Sequence, residues 1–225
     1  RNVTGVQTCA LPILRDKLGL IRTRELIAAR GVDGGRQFFT RANDFGFSKN
    51  AGETLKIWDK EVILADVLKV IRKFKPDVII TRFPPDARAG HGHHTSSALL
   101  ALEAFELAGK PDVLPAQVRE FGTWQPRRLY LNVSRFFDAS VNEKTPGIIT
   151  VDMGGYNPLL GKSYNELSAE SRTMHKSQGF GSAARRGYLP EFFLHQKGDS
   201  VKADLLEGIN TSWSRVRGGE RIEPL

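Results

Sequence analysis

The sequence predicts an α/β fold with a largely parallel sheet. Helical and extended segments alternate along the chain, an order that is typical of a parallel sheet with helices on its faces. One extended segment, Asp77–Thr81, is almost continuously apolar, as expected of a strand that helices cover on both sides. The composition, with 40% hydrophobic and 26% charged residues among 225, can fill the core of such a fold.

Four segments have the apolar periodicity of amphipathic helices. Gly31 ends the first of them, Pro76 ends the second, and Thr95 or Ser96 is expected to cap the third. The predicted helices are Leu14–Arg30, Ile57–Phe74, Ser97–Leu107 and Tyr164–Lys176.

Five short segments rich in β-branched and aromatic residues predict strands, the last of them at an edge of the sheet. Residues 110–126 contain three prolines and predict a long connection without regular structure. The predicted strands are Gln37–Thr40, Asp77–Thr81, Arg128–Val133, Ile148–Asp152 and Phe192–His195.

The start of the chain does not look native. Val3–Ile13 reads VTGVQTCALPI, and the codons that can encode it resemble the constant part of a sequencing adapter translated in frame. We therefore predict that residues 1–13 are foreign, that 14–200 form a truncated domain, and that 201–225 are a tail or the start of a further region. The single cysteine, Cys9, lies in the foreign segment, and one cysteine excludes a disulfide framework and a cysteine-rich zinc site.

The chain is basic, with 33 Lys and Arg against 25 Asp and Glu, a net charge of +8 and a pI near 9.7. Such a surplus attracts polyanions, among them nucleic acids, phosphorylated substrates and anionic membrane surfaces. The basic residues form no long block and no recognisable DNA-binding motif, so we expect no specific nucleic-acid partner. No apolar run reaches the roughly 18 residues of a membrane-spanning helix, so no transmembrane segment is predicted.

The segment Arg82–His94 carries the strongest functional signal. Three of the five histidines, His91, His93 and His94, follow directly after a predicted buried strand. Ligands of open α/β sheets bind at the carboxyl ends of strands, and imidazole serves both as a zinc ligand and as an acid–base group. The three histidines are too close in sequence for all of them to bind one metal comfortably. A polar loop with locally hydrogen-bonded histidines explains the pattern equally well.

The same segment resembles the H-x-x-H motif of the PIG-L/LmbE-like family of zinc-dependent N-deacetylases, here His91 and His94. Three further segments resemble motifs of this family in the same order. They are the R-x-x-E helix with Arg22 and Glu25, the W-x-P-x-x-L-Y strand entry at 124–130, and the H-x-S-Q motif at 175–178. The resemblance covers roughly residues 14 to 180.

The resemblance implies a Rossmann-like layered fold and a deacetylase that holds Zn²⁺. It implies that His94 is a metal ligand and that His91 polarises the substrate carbonyl or stabilises the oxyanion. Asp44 and His175 would contact the substrate, a small-molecule N-acetyl sugar conjugate of the N-acetylglucosamine type. A turn-forming role for Asp44 is equally compatible, and a histidine at a helix end often interacts with the helix dipole. His93 stands where the family usually has aspartate, and it could compete with His94 for the metal.

One family motif has no counterpart. The A-H-P-D-D-E segment, which in the family supplies two zinc ligands, the general base and the first strand, is expected upstream of Leu14. We therefore expect the first strand to be missing and the chain, as printed, to be inactive. The alternative is a non-catalytic carbohydrate- or anion-binding module on the same fold. Arg22 and Glu25 are expected to form a solvated ion pair worth about 0.2–0.5 kcal/mol. The sequence predicts neither localisation nor oligomeric state.

Overall fold

The computed structural model describes residues 16–179, 181–215 and 218–221. These residues form two compact units. The first unit comprises the described residues up to Phe47 together with Val151–Glu191, and the second comprises Ser48–Thr150 with the described residues from Phe192 onward. The segment predicted to be foreign, residues 1–13, lies outside the described residues, and its origin stays a prediction.

The first unit is built on two helices and a short hairpin. Its elements are α1 (Asp16–Asp33), β4 (Tyr156–Asn157), β5 (Lys162–Ser163), α6 (Tyr164–Thr173) and a 3₁₀ turn, Lys176–Gln178. Helices α1 and α6 pack against each other. A capping box begins α6, because the Ser163 hydroxyl accepts from the Glu166 N–H and the Glu166 carboxylate accepts from the Ser163 N–H. The predicted helix in this region therefore starts where expected, although it ends three residues early.

A polar contact joins α1 to α6. The Asp33 carboxylate accepts from the Arg30 guanidinium, from the Gly35 N–H and, at 2.9 Å, from the Ser171 hydroxyl. Burial raises the pKa of Asp33, but these hydrogen bonds outweigh it and hold the pKa below its usual value. Asp33 is thus a charged group that stabilises the folded form.

The second unit contains the sheet and four helices. Its helices are α2 (Ala51–Trp58), α3 (Lys60–Phe74), α4 (Gly92–Leu107) and α5 (Pro115–Phe121). The strand order is β1 (Val78–Thr81), β2 (Arg128–Val133), β6 (Pro190–Gly198) and β3 (Ile148–Asp152). Strand β2 is parallel to β1 and antiparallel to β6. The predicted α/β fold is confirmed, and its parallel character is confirmed for the β1–β2 pair, whereas β6 makes the sheet mixed.

Apolar side chains from helices α3 and α4 and from the sheet form the core of the second unit. Helix α4 packs against α3 and contacts β1. The most deeply buried members are Ile63, Leu64, Leu68, Ala98, Leu100, Ala104, Leu129, Tyr130, Leu131 and Phe192. Among the described residues, no helix combines the length and the apolar character needed to cross a membrane.

Arg72 is fully buried in this core. Its guanidinium donates to the carbonyl oxygens of Leu107, Ala108 and Lys110, at 3.2 to 3.5 Å. These carbonyls lie at the carboxyl end of α4, where backbone acceptors lack helical partners and the helix dipole favours a cation. Burial lowers the pKa of Arg72 from its usual value.

The predicted helix Ile57–Phe74 is in fact two helices. Asp59 interrupts it with a φ of 60°, and its carboxylate caps α3 by accepting from the Val62 N–H. Asn50 caps α2 in the same way by accepting from the Glu53 N–H. The amphipathic pattern runs through both helices, so periodicity alone did not reveal the break.

Other boundaries differ as well. Helix α4 starts at Gly92 instead of Ser97, because His91 supplies the cap. Proline at the start of α5 fits the first turn of a helix, so the predicted connection 110–126 contains that helix. The predicted strand Gln37–Thr40 is not a strand, and its Phe39 is half exposed. The predicted edge strand Phe192–His195 belongs to β6, which lies inside the sheet between β2 and β3.

Candidate functional site

The histidine turn, His91–His94, lies where the chain enters α4. His91 is the N-cap residue, and its Nδ1 accepts a hydrogen bond from the His93 N–H at 3.1 Å. His94 lies in the first helical turn, and its Nδ1 is 3.2 Å from the Ala89 carbonyl oxygen. The centres of the His91 and His94 rings are 5.2 Å apart. The structure therefore brings the two residues of the H-x-x-H motif side by side.

The backbone partners of these two rings differ in kind. A nitrogen that accepts from an N–H has no proton, so neutral His91 carries its proton on Nε2. A nitrogen beside a carbonyl oxygen is the donor, so neutral His94 carries its proton on Nδ1 and keeps a lone pair on Nε2. Nε2 of neutral His91 is thus a hydrogen-bond donor, whereas Nε2 of neutral His94 carries a lone pair.

Aromatic rings hold the histidine turn on two sides. The Phe83 ring stacks on His94 with centres 3.7 Å apart and planes within 2° of parallel. The His93 ring stacks on Trp58 at 4.8 Å, and its centre is 4.5 Å from that of His91. His93 is therefore packed against α2 as well as facing His91.

A small cleft opens at the carboxyl ends of β1 and β2. Pro84, Leu131 and Phe137 contribute to its walls. Phe137 packs edge-on against Phe83, with ring centres 5.7 Å apart, and Phe83 in turn stacks on His94. Contacts through Phe137 and Phe83 therefore connect the wall of the cleft to the His94 imidazole.

Residues at the start of α2 pack against the histidine turn. The Gly92 N–H donates to the Ser48 carbonyl oxygen at 2.8 Å. A Cβ atom on Gly92 would lie 2.3 Å from Ser48 Oγ, 2.4 Å from the Asn50 carbonyl oxygen and 2.5 Å from Thr54 Oγ1. Ser48 and Thr54 are fully buried. Only glycine fits at this position, between the two histidines of the motif.

Sequence reasoning missed this supporting contact. Ser48 Oγ accepts from the Thr54 hydroxyl at 2.8 Å and contacts the Glu53 carboxylate at the same distance. The hydrogen bonds from Ser48 and from the Lys49 N–H lower the pKa of Glu53. The capping pattern at Asn50 and Glu53 is the signal in the sequence that could have revealed a helix start here.

A second support comes from the loop before the turn. The Asp86 carboxylate caps the 3₁₀ turn Ala87–Ala89 and binds the Arg88 guanidinium through both oxygens, at 2.7 and 2.9 Å. Arg88 lowers the pKa of Asp86 through these hydrogen bonds. The Thr95 hydroxyl contacts the Asp86 carbonyl oxygen at 3.2 Å. This loop fixes Ala89, whose carbonyl orients His94.

Asp44 and His175, the residues predicted to contact substrate, belong to the first unit, whereas His91 and His94 belong to the second. Asp44 is exposed, and its carboxylate accepts from the Gly46 N–H at 2.9 Å, which is a turn of the Asx type. His175 follows α6, with Nδ1 at 3.4 Å from the Gln178 amide nitrogen.

Arg22 and Glu25 form the predicted ion pair, but the pair is largely buried instead of solvated. Glu25 is 8% exposed and lies 3.7 Å from Arg22 Nη1. Its two oxygens accept from the Ser177 N–H at 2.5 Å and the Ser177 hydroxyl at 2.9 Å. The R-x-x-E and H-x-S-Q segments are therefore in direct contact within the first unit. The Ser177 N–H and hydroxyl satisfy the carboxylate of Glu25, so Glu25 can be buried. The three-residue spacing of Arg22 and Glu25 in the sequence does not reveal these donors.

Residues 4–105 match the family model described as PIG-L, GlcNAc-PI de-N-acetylase. The resemblance to the PIG-L family is confirmed. The matched range includes Arg22, Glu25, Asp44 and both histidines of the H-x-x-H motif, and it ends within α4. No individually curated protein matches the chain.

The matched model describes a de-N-acetylase, which is a hydrolase, and its family is generally metal-dependent with small-molecule sugar substrates. Among the residues that the structure describes, no group of three or more His, Cys, Asp and Glu side chains could hold a metal ion. A closed zinc site needs three or four protein ligands. The donor set within the described ranges is therefore too small for the PIG-L metal, although His94 has the free lone pair that a ligand needs.

Proposed function

We propose that this chain carries the histidine part of a zinc-dependent N-acetyl-sugar deacetylase site, acting on a conjugate of the N-acetylglucosamine type. His94 is the residue that we assign as a metal ligand. His91 is the residue that we assign to the substrate, where its Nε2–H donates to the amide carbonyl and stabilises negative charge on that oxygen.

The observation that supports this assignment is the opposite hydrogen bonding of the two rings. His94 Nδ1 faces the Ala89 carbonyl, the arrangement by which proteins usually orient a metal-binding histidine. His91 Nδ1 accepts from a backbone N–H, which makes its Nε2 a donor. One ring is thus suited to a cation and its neighbour to an anionic oxygen.

The substrate roles proposed for Asp44 and His175 rest on the family motifs alone. A hydroxyl of the sugar is the group that each would contact. One oxygen of the Asp44 carboxylate accepts from the Gly46 N–H, and its second oxygen can accept a hydrogen bond from such a hydroxyl.

The small donor set supports our proposal that the chain, as printed, does not turn over. With His94 as its assigned ligand, we expect weak zinc binding and no release of amine from an N-acetylglucosamine conjugate. The same observation favours the alternative of a non-catalytic carbohydrate- or anion-binding module. The enzyme and the binding module differ in one expected outcome. With a complete set of zinc ligands, only the enzyme should release amine from the sugar conjugate.

Long-range ¹H–¹⁵N correlation spectra of the histidine rings test the assignment at a pH where the rings are neutral. We expect the protonated nitrogen of His91 to be Nε2 and that of His94 to be Nδ1. Zinc titration should then shift His94 Nε2, and His94→Ala should remove this binding while His93→Ala retains it. Zinc binding that is unchanged in His94→Ala contradicts the ligand assignment.

Joining a family A-H-P-D-D-E segment ahead of Leu14 separates the enzyme from the binding module. The enzyme proposal predicts stoichiometric zinc and release of amine, with His91→Ala lowering turnover while the metal stays bound. Saturable sugar binding without amine release, with zinc bound, favours the module.

A further inference from the structure

Part of the net positive charge of the chain lies in two neighbouring segments of the second unit. The last two turns of α3 and the connection 109–124 carry five exposed cations, which are Lys69, Lys73, Lys75, Lys110 and Arg119. The same segments carry only two exposed carboxylates, Asp112 and Glu120. In the described part of the chain, none of the five cations forms an ion pair, in contrast to Lys60 and Lys197, which do.

Aromatic rings hold two of these ammonium groups at the surface. Lys69 Nζ lies 5.8 Å from the centre of the Phe121 ring, and Lys75 Nζ lies 5.9 Å from that of Trp124. The Trp124 indole is itself fixed, because its N–H donates to the Pro76 carbonyl oxygen at 2.7 Å. We call Lys69, Lys73 and Lys75 the α3 lysines.

An exposed apolar residue adjoins the α3 lysines in the sequence. Phe74 lies between Lys73 and Lys75 and is 50% exposed. The phosphate backbone of a nucleic-acid duplex offers such a side chain no apolar partner, whereas the bases of a single strand can stack on it. A lipid bilayer accepts it, since aromatic side chains insert at the boundary of headgroups and acyl chains while lysines bind anionic headgroups.

We propose that the α3 lysines and Phe74 dock this protein on the surface of an anionic lipid bilayer. The lysines supply the electrostatic attraction, at about fivefold in partitioning for each lysine near the surface. Phe74 supplies the contact that distinguishes a bilayer from a nucleic-acid duplex.

Vesicle sedimentation of the full chain tests the proposal. The vesicles contain phosphatidylcholine with about 30 mol % phosphatidylserine, or phosphatidylcholine alone. The variant carries Lys69→Gln, Lys73→Gln and Lys75→Gln. The matched control carries Lys49→Gln, Lys56→Gln and Lys144→Gln, which removes the same charge from exposed sites outside the α3 lysines.

We expect the parent chain to bind only the anionic vesicles, and added salt to weaken this binding. The α3 variant should lose about a hundredfold in partitioning, and the control about threefold or less. Phe74→Ser should lose about tenfold on vesicles. Circular dichroism and urea midpoints identify a variant that fails to fold, in which case Lys69→Gln alone and Phe74→Ser carry the test.

Three results overturn the proposal. The first is equal loss in the α3 variant and its control, which shows that total charge alone acts. The second is equal binding to neutral vesicles. The third is binding of a DNA duplex or a single-stranded DNA that depends on the α3 lysines, without binding to anionic vesicles, which shows a nucleic-acid surface.

Discussion

Gly92→Ala tests whether the histidine turn depends on its contact with the start of α2. The added Cβ would lie 2.3 to 2.5 Å from three oxygens, and one of these is the Asn50 carbonyl, which cannot rotate away. Overpacking of this kind costs about 1–3 kcal/mol. Moving α4 outward also weakens the hydrogen bond from the Gly92 N–H to Ser48, worth about 1 kcal/mol.

Alanine stabilises a helix relative to glycine by at most about 1 kcal/mol. The steric cost is larger, so Gly92→Ala should lower the free energy of unfolding. We expect Gly92→Ala to lose about 2–3 kcal/mol in the free energy of unfolding, measured by urea denaturation. The ¹⁵N shifts of His91 and His94 should change in the same variant. Gly52→Ala is the matched control, since its Cβ meets only Asn50 Oδ1 at 3.4 Å. A Gly92→Ala protein with parental stability and parental histidine shifts would refute the proposed packing.

Three further substitutions test other contacts. Arg72→Met should cost about 2–4 kcal/mol in urea denaturation, because it removes the guanidinium that the carbonyls of Leu107, Ala108 and Lys110 share at the end of α4. Ser163→Ala should cost about 1 kcal/mol by the same measurement, because α6 loses its cap. The lowered pKa of Asp33 stabilises the fold above the unfolded pKa of about 3.9 and ceases to do so as the pH falls through the folded value. Asp33→Asn should therefore lower the urea midpoint at pH 7, and this loss should shrink as the pH falls below the unfolded pKa of about 3.9.

Several features of the fold could be predicted from the sequence because one dominant interaction determines each of them. The β1 strand follows from a run of apolar residues bounded by Pro76, but the prediction that helices cover both of its faces is wrong, because none of its residues is fully buried and Ile80 is 51% exposed. Strand β2 follows from the alternation of Arg128–Val133. The first helix ends at Asp33, three residues after its predicted end, and its predicted start at Leu14 lies outside the described residues. In each case local propensity favours the structure that forms.

Other features depend on contacts that a single sequence does not display. The break at Asp59 needs a positive φ that the amphipathic pattern conceals, and the antiparallel placement of β6 depends on pairing across some 60 residues. The burial of Glu25 depends on Ser177, more than 150 residues away in the chain. Such partners are set by tertiary packing, which overrides local propensity.

The spacing of the H-x-x-H motif predicts that two imidazoles will be neighbours, but it does not distinguish their chemistry. That difference comes from the backbone. An N-cap position directs the His91 ring at an unsatisfied helical N–H, whereas a position one turn later directs the His94 ring back to the Ala89 carbonyl. A single helix start therefore gives two neighbouring histidines opposite tautomers. Any substitution that shifts the start of α4 by one residue should exchange or abolish these roles, even though both imidazoles remain in the sequence.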